Sequence, residues 1–129
     1  TIEEGKMEVG MGIHGEAGID VIDMPTADDM AQLCFDKINS ELELKSGEKV
    51  TVMINGLGAT PLDEQYLVYR KIALLLKEKG VKVVMPHIGE FATSMEMAGL
   101  SISIMKLDDE LEKLLLAPAK SPFYTNYNK

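Results

Sequence analysis

Tryptophan is absent, aromatic side chains make up 5% of the chain, and cysteine occurs once. One cysteine cannot close an internal disulfide, so these 129 residues are no disulfide scaffold and nothing in them points to an oxidising compartment. Histidine occurs twice, as His14 and His87, and no ligand pair has zinc-like spacing; Glu16 near His14 adds one carboxylate, which does not define a metal site. Cations are few, with 13 Lys and Arg against 21 Asp and Glu, for a net charge of −8. That balance argues against nucleic acid, whose phosphates need clustered Lys and Arg, and equally against an anionic membrane surface. No apolar run approaches the ~18 residues of a membrane span, and Thr1-Ile-Glu-Glu does not open like a signal peptide. A cytoplasmic protein without nucleic-acid or membrane partners is therefore expected.

What is present is an ordinary globular balance of 46% apolar and 26% charged residues, enough for one domain spanning 1–129. Nine Met residues suit adaptable core filling, and Cys34 falls on an apolar helix face, as a buried inert thiol. Lys6–Ile13 reads as a short strand, followed by glycines at 10, 12, 15 and 18. Thr26–Leu44 reads as a helix, with Thr26 and Asp29 as a capping box and Met30, Leu33, Cys34, Ile38 and Leu42 on one face. Lys49–Asn55 reads as a central strand and Gly56–Ala59 as a tight turn. Thr60 then caps a helix that starts at Pro61, with Tyr66, Tyr69, Ile72, Ala73 and Leu76 as its buried stripe. Val81–Ile88 is the next strand, with Pro86 near its end; Thr93–Ala98 gives a turn or two of helix and Ser101–Leu107 a further strand. Asp108 caps a last helix to Ala117, and the tail reads as irregular. The insert before Ser101 is too short for a parallel crossover, so that strand should run antiparallel. The pattern predicts a layered α/β domain with a mixed, mainly parallel sheet of about four strands and flanking helices.

Gly10-Met-Gly-Ile-His14-Gly-Glu-Ala-Gly18 is the constellation that bears most on chemistry. A histidine at a strand end between glycines leaves room for a ligand to reach the imidazole, and strand carboxyl ends are where open α/β sheets bind ligands. Imidazole can act there as base, acid or nucleophile. On the residues alone, a histidine that merely caps a glycine-rich turn through hydrogen bonds is the favoured reading. Gly56-Leu-Gly-Ala-Thr60 lies where glycine loops cradle phosphate, but it lacks the Walker lysine and the G-x-G-x-x-G spacing, so a capped βα turn is the simpler reading. His87, Glu90 and Thr93 read as a polar loop. Asp108, Asp109 and Glu110 are an acidic helix start, and Tyr66 and Tyr69 read as core or interface.

In sequence order GMGIHGEAGI, MINGLGATPLDEQYLVY and GEFATSMEMAGLSISIMKLDDE together resemble the substrate-binding K subunit of the dihydroxyacetone kinase family, in its C-terminal domain, from about Lys6 to Pro118. The resemblance implies that His14 adds through an imidazole nitrogen to the carbonyl carbon of dihydroxyacetone, as a hemiaminal. It implies that ATP or ADP sits on a separate L subunit or domain, or that a phosphotransferase relay supplies the phosphoryl group, and that no cofactor is held by this chain. It also implies a homodimer of the whole subunit. The family's N-terminal domain contributes a further His and an Asp; without them the chain looks like a fragment or one polypeptide of a split subunit, inactive alone. Family members that act as ketose-binding co-activators of transcription are the alternative.

Overall fold

Alternation builds the centre of the fold. In β3 (Lys49–Gly58) the side chains of Val50, Val52 and Ile54 all point to one face and are fully buried. Over them lie α1 (Ala27–Leu42) and α2 (Leu62–Glu78), which bring Ala31 and Phe35 from one helix and Val68, Ile72 and Leu76 from the other. Each such side chain contributes about 1.5–3 kcal/mol by leaving water. The computed structural model describes residues 2–10, 17–93, 97–122 and 124–126, the Thr125 side chain excepted.

β3 is central, as its composition predicts. One edge pairs along its whole length with antiparallel β6 (Ala98–Leu107), from Lys49 opposite Leu107 to Gly58 opposite Ala98. The other edge pairs in parallel with β4 (Lys82–Val83) and then β5 (His87–Gly89). The four strands thus form a mixed sheet with flanking helices, α2 is the crossover between parallel strands, and the strand after the short insert is antiparallel. β1 (Lys6–Val9) and β2 (Asp20–Asp23) form a separate antiparallel pair, and β2 leads into α1.

Several local expectations are corrected. The strand expected over Val81–Ile88 is two pieces: Val50 pairs with Val83 and Met53 with His87, so three steps on β3 face four on the partner. The extra residue is absorbed between Val84 and Pro86, where Met85 takes a φ of 51° and Pro86 has no N–H to give. Gly56–Gly58 is not a turn but the end of β3, paired to Leu100, Gly99 and Ala98. The cap of α2 is Pro61, without a side-chain bond, because the Thr60 hydroxyl is turned to Gly99. The buried stripe of α1 runs through Ala31 and Phe35, with Met30 and Leu42 at its margin and Cys34 half-buried. On α2 the stripe includes Gln65, Val68 and Leu75, while Tyr66 is 51% exposed. The first helix ends at Leu42, where Glu43 adopts the left-handed conformation and gives its N–H to Asn39.

Two expectations hold closely. Thr26 caps α1 by accepting from the Asp29 N–H at 3.2 Å. Asp108 caps α3 (Asp109–Leu116) by accepting from the Leu111 N–H at 2.7 Å. Beyond α3 the tail is not irregular but pairs β7 (Ala119–Ser121) with β8 (Tyr124–Asn126). The short helix expected at Thr93–Ala98 falls partly on residues 94–96, outside the described residues, and Ala98 already belongs to β6.

Candidate functional site

The carboxyl end of β3 is organised by one buried carboxamide. Asn55, 4% exposed, donates from Nδ2 to the Ala92 carbonyl at 2.6 Å and accepts at Oδ1 from the N–H groups of Phe91 (2.7 Å) and Ala92 (3.0 Å). Three further bonds continue from there. The Gly58 N–H reaches the Thr93 hydroxyl at 2.9 Å, the Ala59 N–H reaches the Met97 carbonyl at 2.8 Å, and the Thr60 hydroxyl donates to the Gly99 carbonyl at 2.6 Å. The sequence blocks around Asn55–Pro61 and Phe91–Ser101, separate along the chain, are therefore one bonded object.

Gly56 is required by its neighbour across the turn. A Cβ there would lie 2.1 Å from Gln65 Nε2, so the β3 backbone passes directly against this side chain. Gln65 is 3% exposed; its Nε2 donates to the Thr60 carbonyl at 3.3 Å, while Oε1 is buried with no hydrogen-bond partner among the described residues. The same geometry decides against a phosphate cradle at Gly56–Thr60. The Gly58 and Ala59 N–H groups are already spent on Thr93 and Met97, and the first turn of α2 carries Asp63 and Glu64, which repel an anion.

His14 and Glu16 lie outside the described residues. What is described is the frame on either side of them. Ile19 N–H bonds the Val9 carbonyl at 2.7 Å, and Gly18 N–H bonds Glu8 Oε1 at 2.6 Å. Gly10 has a φ of 81°, and a Cβ on Gly18 would sit 2.5 Å from Glu8 Cγ and 2.6 Å from the Val9 carbonyl. The glycines bracketing the histidine block thus have backbone reasons of their own.

The remaining candidates are placed as follows. His87 shares a hydrogen bond with the Tyr124 hydroxyl at 2.7 Å, and Phe91 meets its ring edge-on at 5.9 Å between centroids. Thr93 accepts from the Gly58 N–H and Glu90 is exposed, so His87, Glu90 and Thr93 serve different partners rather than one point. Tyr69 is half-buried, and burial raises its phenol above the ordinary value. Burial likewise raises the Cys34 thiol, with Lys37 pulling it partly back, as an inert thiol requires. Among the described residues no three His, Cys, Asp or Glu side chains gather to hold a metal ion, and no helix is long and apolar enough to cross a membrane. Asn55, Gln65 and Tyr124 were missed in the sequence. Only the polar Asn55 closing an apolar strand carried a signal.

Comparison with known proteins gives a consistent result. The family model described as the Dak1 domain matches residues 1–123. The chain is 46% identical over 123 residues to the dihydroxyacetone-binding subunit of a PTS-dependent dihydroxyacetone kinase 2 of Listeria innocua, covering 95% of this chain and 37% of that subunit. It is 44% identical over 128 residues to an L-erythrulose kinase of Pectobacterium atrosepticum, covering 96% of this chain and 22% of the relative. Among solved structures, a dihydroxyacetone kinase operon co-activator superposes with a TM-score of 0.83 at 27% identity, over 92% of this chain and 37% of the other. The chain thus spans well under half the length of these relatives.

Proposed function

Since the chain belongs to the Dak1 domain family, we propose that it is the substrate-holding part of a ketose kinase of the dihydroxyacetone kinase type, with His14 as the covalent anchor. The observation that carries this reading is the Gly10–Gly18 block around His14 in a chain 46% identical to a dihydroxyacetone-binding subunit. Dihydroxyacetone and erythrulose, the substrates in the relatives' names, share a ketone beside a hydroxymethyl group. An imidazole nitrogen of His14 adds to that carbonyl carbon. The carbonyl π pair becomes an alkoxide, which takes up the proton released from the other ring nitrogen, leaving a neutral hemiaminal. Glycerol has no carbonyl and is not captured. The tether fixes a free hydroxyl for attack on phosphorus, a step dominated by positioning and charge stabilisation.

The phosphoryl donor belongs to a separate L subunit, carrying ATP or ADP or loaded by a phosphotransferase relay, and no cofactor is assigned to this chain. The complete subunit works as a homodimer in the cytoplasm. The 129-residue chain by itself binds but does not turn over, because the residues that complete proton transfer are supplied by the rest of the subunit.

Dihydroxyacetone labelled with carbon-13 at the carbonyl tests the anchor. On binding, a protein-bound tetrahedral signal appears beside the ketone and hydrate signals of the free ligand, and His14→Ala abolishes it; a bound tetrahedral signal that survives the substitution overturns the assignment. A second reading, a ketose-binding co-activator without kinase activity, is favoured by the close superposition on a co-activator. Sequence identity favours the kinases. Turnover by the whole subunit with an L subunit and donor separates the two.

A further inference from the structure

Among the described residues β6 forms one margin of the main sheet, and its register fixes which of its backbone groups turn outward. Beyond the paired strands the Ala59 N–H still reaches Met97, while on the opposite side of β3 the Val50 carbonyl accepts from Val84. Odd-numbered residues of β3 therefore turn their backbone groups to β6, and even-numbered ones turn to β4 and β5. By the antiparallel register, odd-numbered residues of β6 face β3, and Leu100, Ile102, Ile104 and Lys106 present their N–H and carbonyl groups outward. Among the described residues no strand pairs with that edge.

Such an edge is unusual in natural sheets. It is ten residues long, holds no proline and carries one charge, Lys106, next to its end. Natural sheets blunt exposed edges with lysines, prolines, inward charges, bulges or short strands, and of these β6 has only Lys106, next to its end. Leu100, Ile102 and Ile104 pack against the core but remain only partly buried, so the apolar layer stops short at the same margin. β1 and β2 make a two-stranded sheet of their own, an arrangement that is marginal without further strands.

We propose that the outer edge of β6 receives a β-strand from the polypeptide that the longer relatives carry outside the matched segment. The Listeria innocua subunit has most of its length there, since the match covers 37% of it. The incoming strand carries apolar residues at every second position, to continue the row of Leu100, Ile102 and Ile104, and its backbone pairs with theirs. This inference rests on the sheet and the family alone and is independent of the chemistry assigned to His14.

Residue-resolved amide exchange is the test. In the 129-residue chain alone the amides of Leu100, Ile102 and Ile104 should exchange ~100-fold faster than those of Ser101, Ser103 and Met105. Co-expression with the unmatched part of the Listeria innocua subunit should give a one-to-one complex in which the even-numbered amides are slowed to match. A chain that sediments as a dimer of itself with those amides protected makes a second copy the occupant and overturns the proposal. Should the split parts not assemble, the intact Listeria innocua subunit decides. Aligned amides that stay slow on dilution through subunit dissociation support the added strand of the same polypeptide; fast exchange, or protection lost on dilution, refutes it.

Discussion

Asn55 grips both backbone groups of Ala92, donating to its carbonyl at 2.6 Å and accepting from its N–H at 3.0 Å. A third bond, from the Phe91 N–H at 2.7 Å, makes this one side chain the tie between β3 and the segment after β5. Asn55→Ala should cost about 1–3 kcal/mol, the penalty for leaving such partners unmade. Asn55→Asp keeps both acceptor bonds but sets a carboxylate oxygen against the Ala92 carbonyl, so it should also destabilise. Urea unfolding measures the loss, and faster exchange at Phe91 and Ala92 locates it. Unchanged exchange at those two amides would remove Asn55 as the tie.

How much was legible in the sequence follows from where each hydrogen bond ends. Thr26 and Asp108 were read correctly because their partners, Asp29 and Leu111, lie three residues away. Thr60 looks the same in sequence, but its hydroxyl finds Gly99, 39 residues on, and the tertiary partner wins over the cap. The same holds for Gly56–Gly58, which carries turn residues but is held as strand by ten-residue pairing with β6. Pro86 near the end of Val81–Ile88 fits a single strand in sequence, and the register slip beside it is invisible without the partner strand. The α/β layering, the central place of β3 and the antiparallel β6 were legible because period and loop length fix them. His14 is different in kind. Residue types and spacing favour a turn-capping histidine, and the family resemblance alone singles it out as a nucleophile.

Asn126 should prove the support of α3. That helix has no buried residue, yet Asn126 Nδ2 donates to the Leu115 carbonyl at 3.3 Å and the Ala117 carbonyl at 3.0 Å, at the end where a helix has no donors of its own for its last carbonyls. Tyr124, on the same strand, is held by His87. Asn126→Ala should cost about 1–2 kcal/mol and speed exchange throughout α3, with smaller changes in α1 and α2. Tyr124→Phe, which keeps the ring and loses the hydroxyl, should do less, about 0.5–1.5 kcal/mol. Equal loss of protection in all three helices would mean that the unit does not open separately.

Cys34 offers a pH test with a definite sign. Burial raises its pKa in the folded chain above the ordinary thiol value, so the unfolded chain ionises first as pH rises. The contribution to stability is full below the unfolded pKa and is lost as pH climbs through the folded one. Unfolding free energy should therefore fall more steeply on the alkaline side in the native chain than in Cys34→Ala, compared at matched salt. At about pH 8 a thiol reagent should label the folded chain at least about tenfold more slowly than the chain in denaturant. Equal labelling rates would show the thiol to be open to solvent.

Gly56 and Gln65 should behave as one unit. The Cβ of Gly56→Ala would fall 2.1 Å from Nε2 and 2.8 Å from Cδ of a side chain that is itself buried, so Gln65 must move and give up its bond to the Thr60 carbonyl. The expected cost is about 1–3 kcal/mol, as for other overpacked core positions. Gln65→Ala alone loses that bond and leaves a cavity, yet it also removes a buried acceptor that has no partner among the described residues, so its cost should be the smaller of the two. In the double variant the added methyl enters the space the glutamine vacated, and the two costs should fall short of additive by about 1 kcal/mol or more. Urea unfolding of the four proteins gives this coupling. A strictly additive cycle would show that the glycine serves the strand backbone rather than the approach of Gln65.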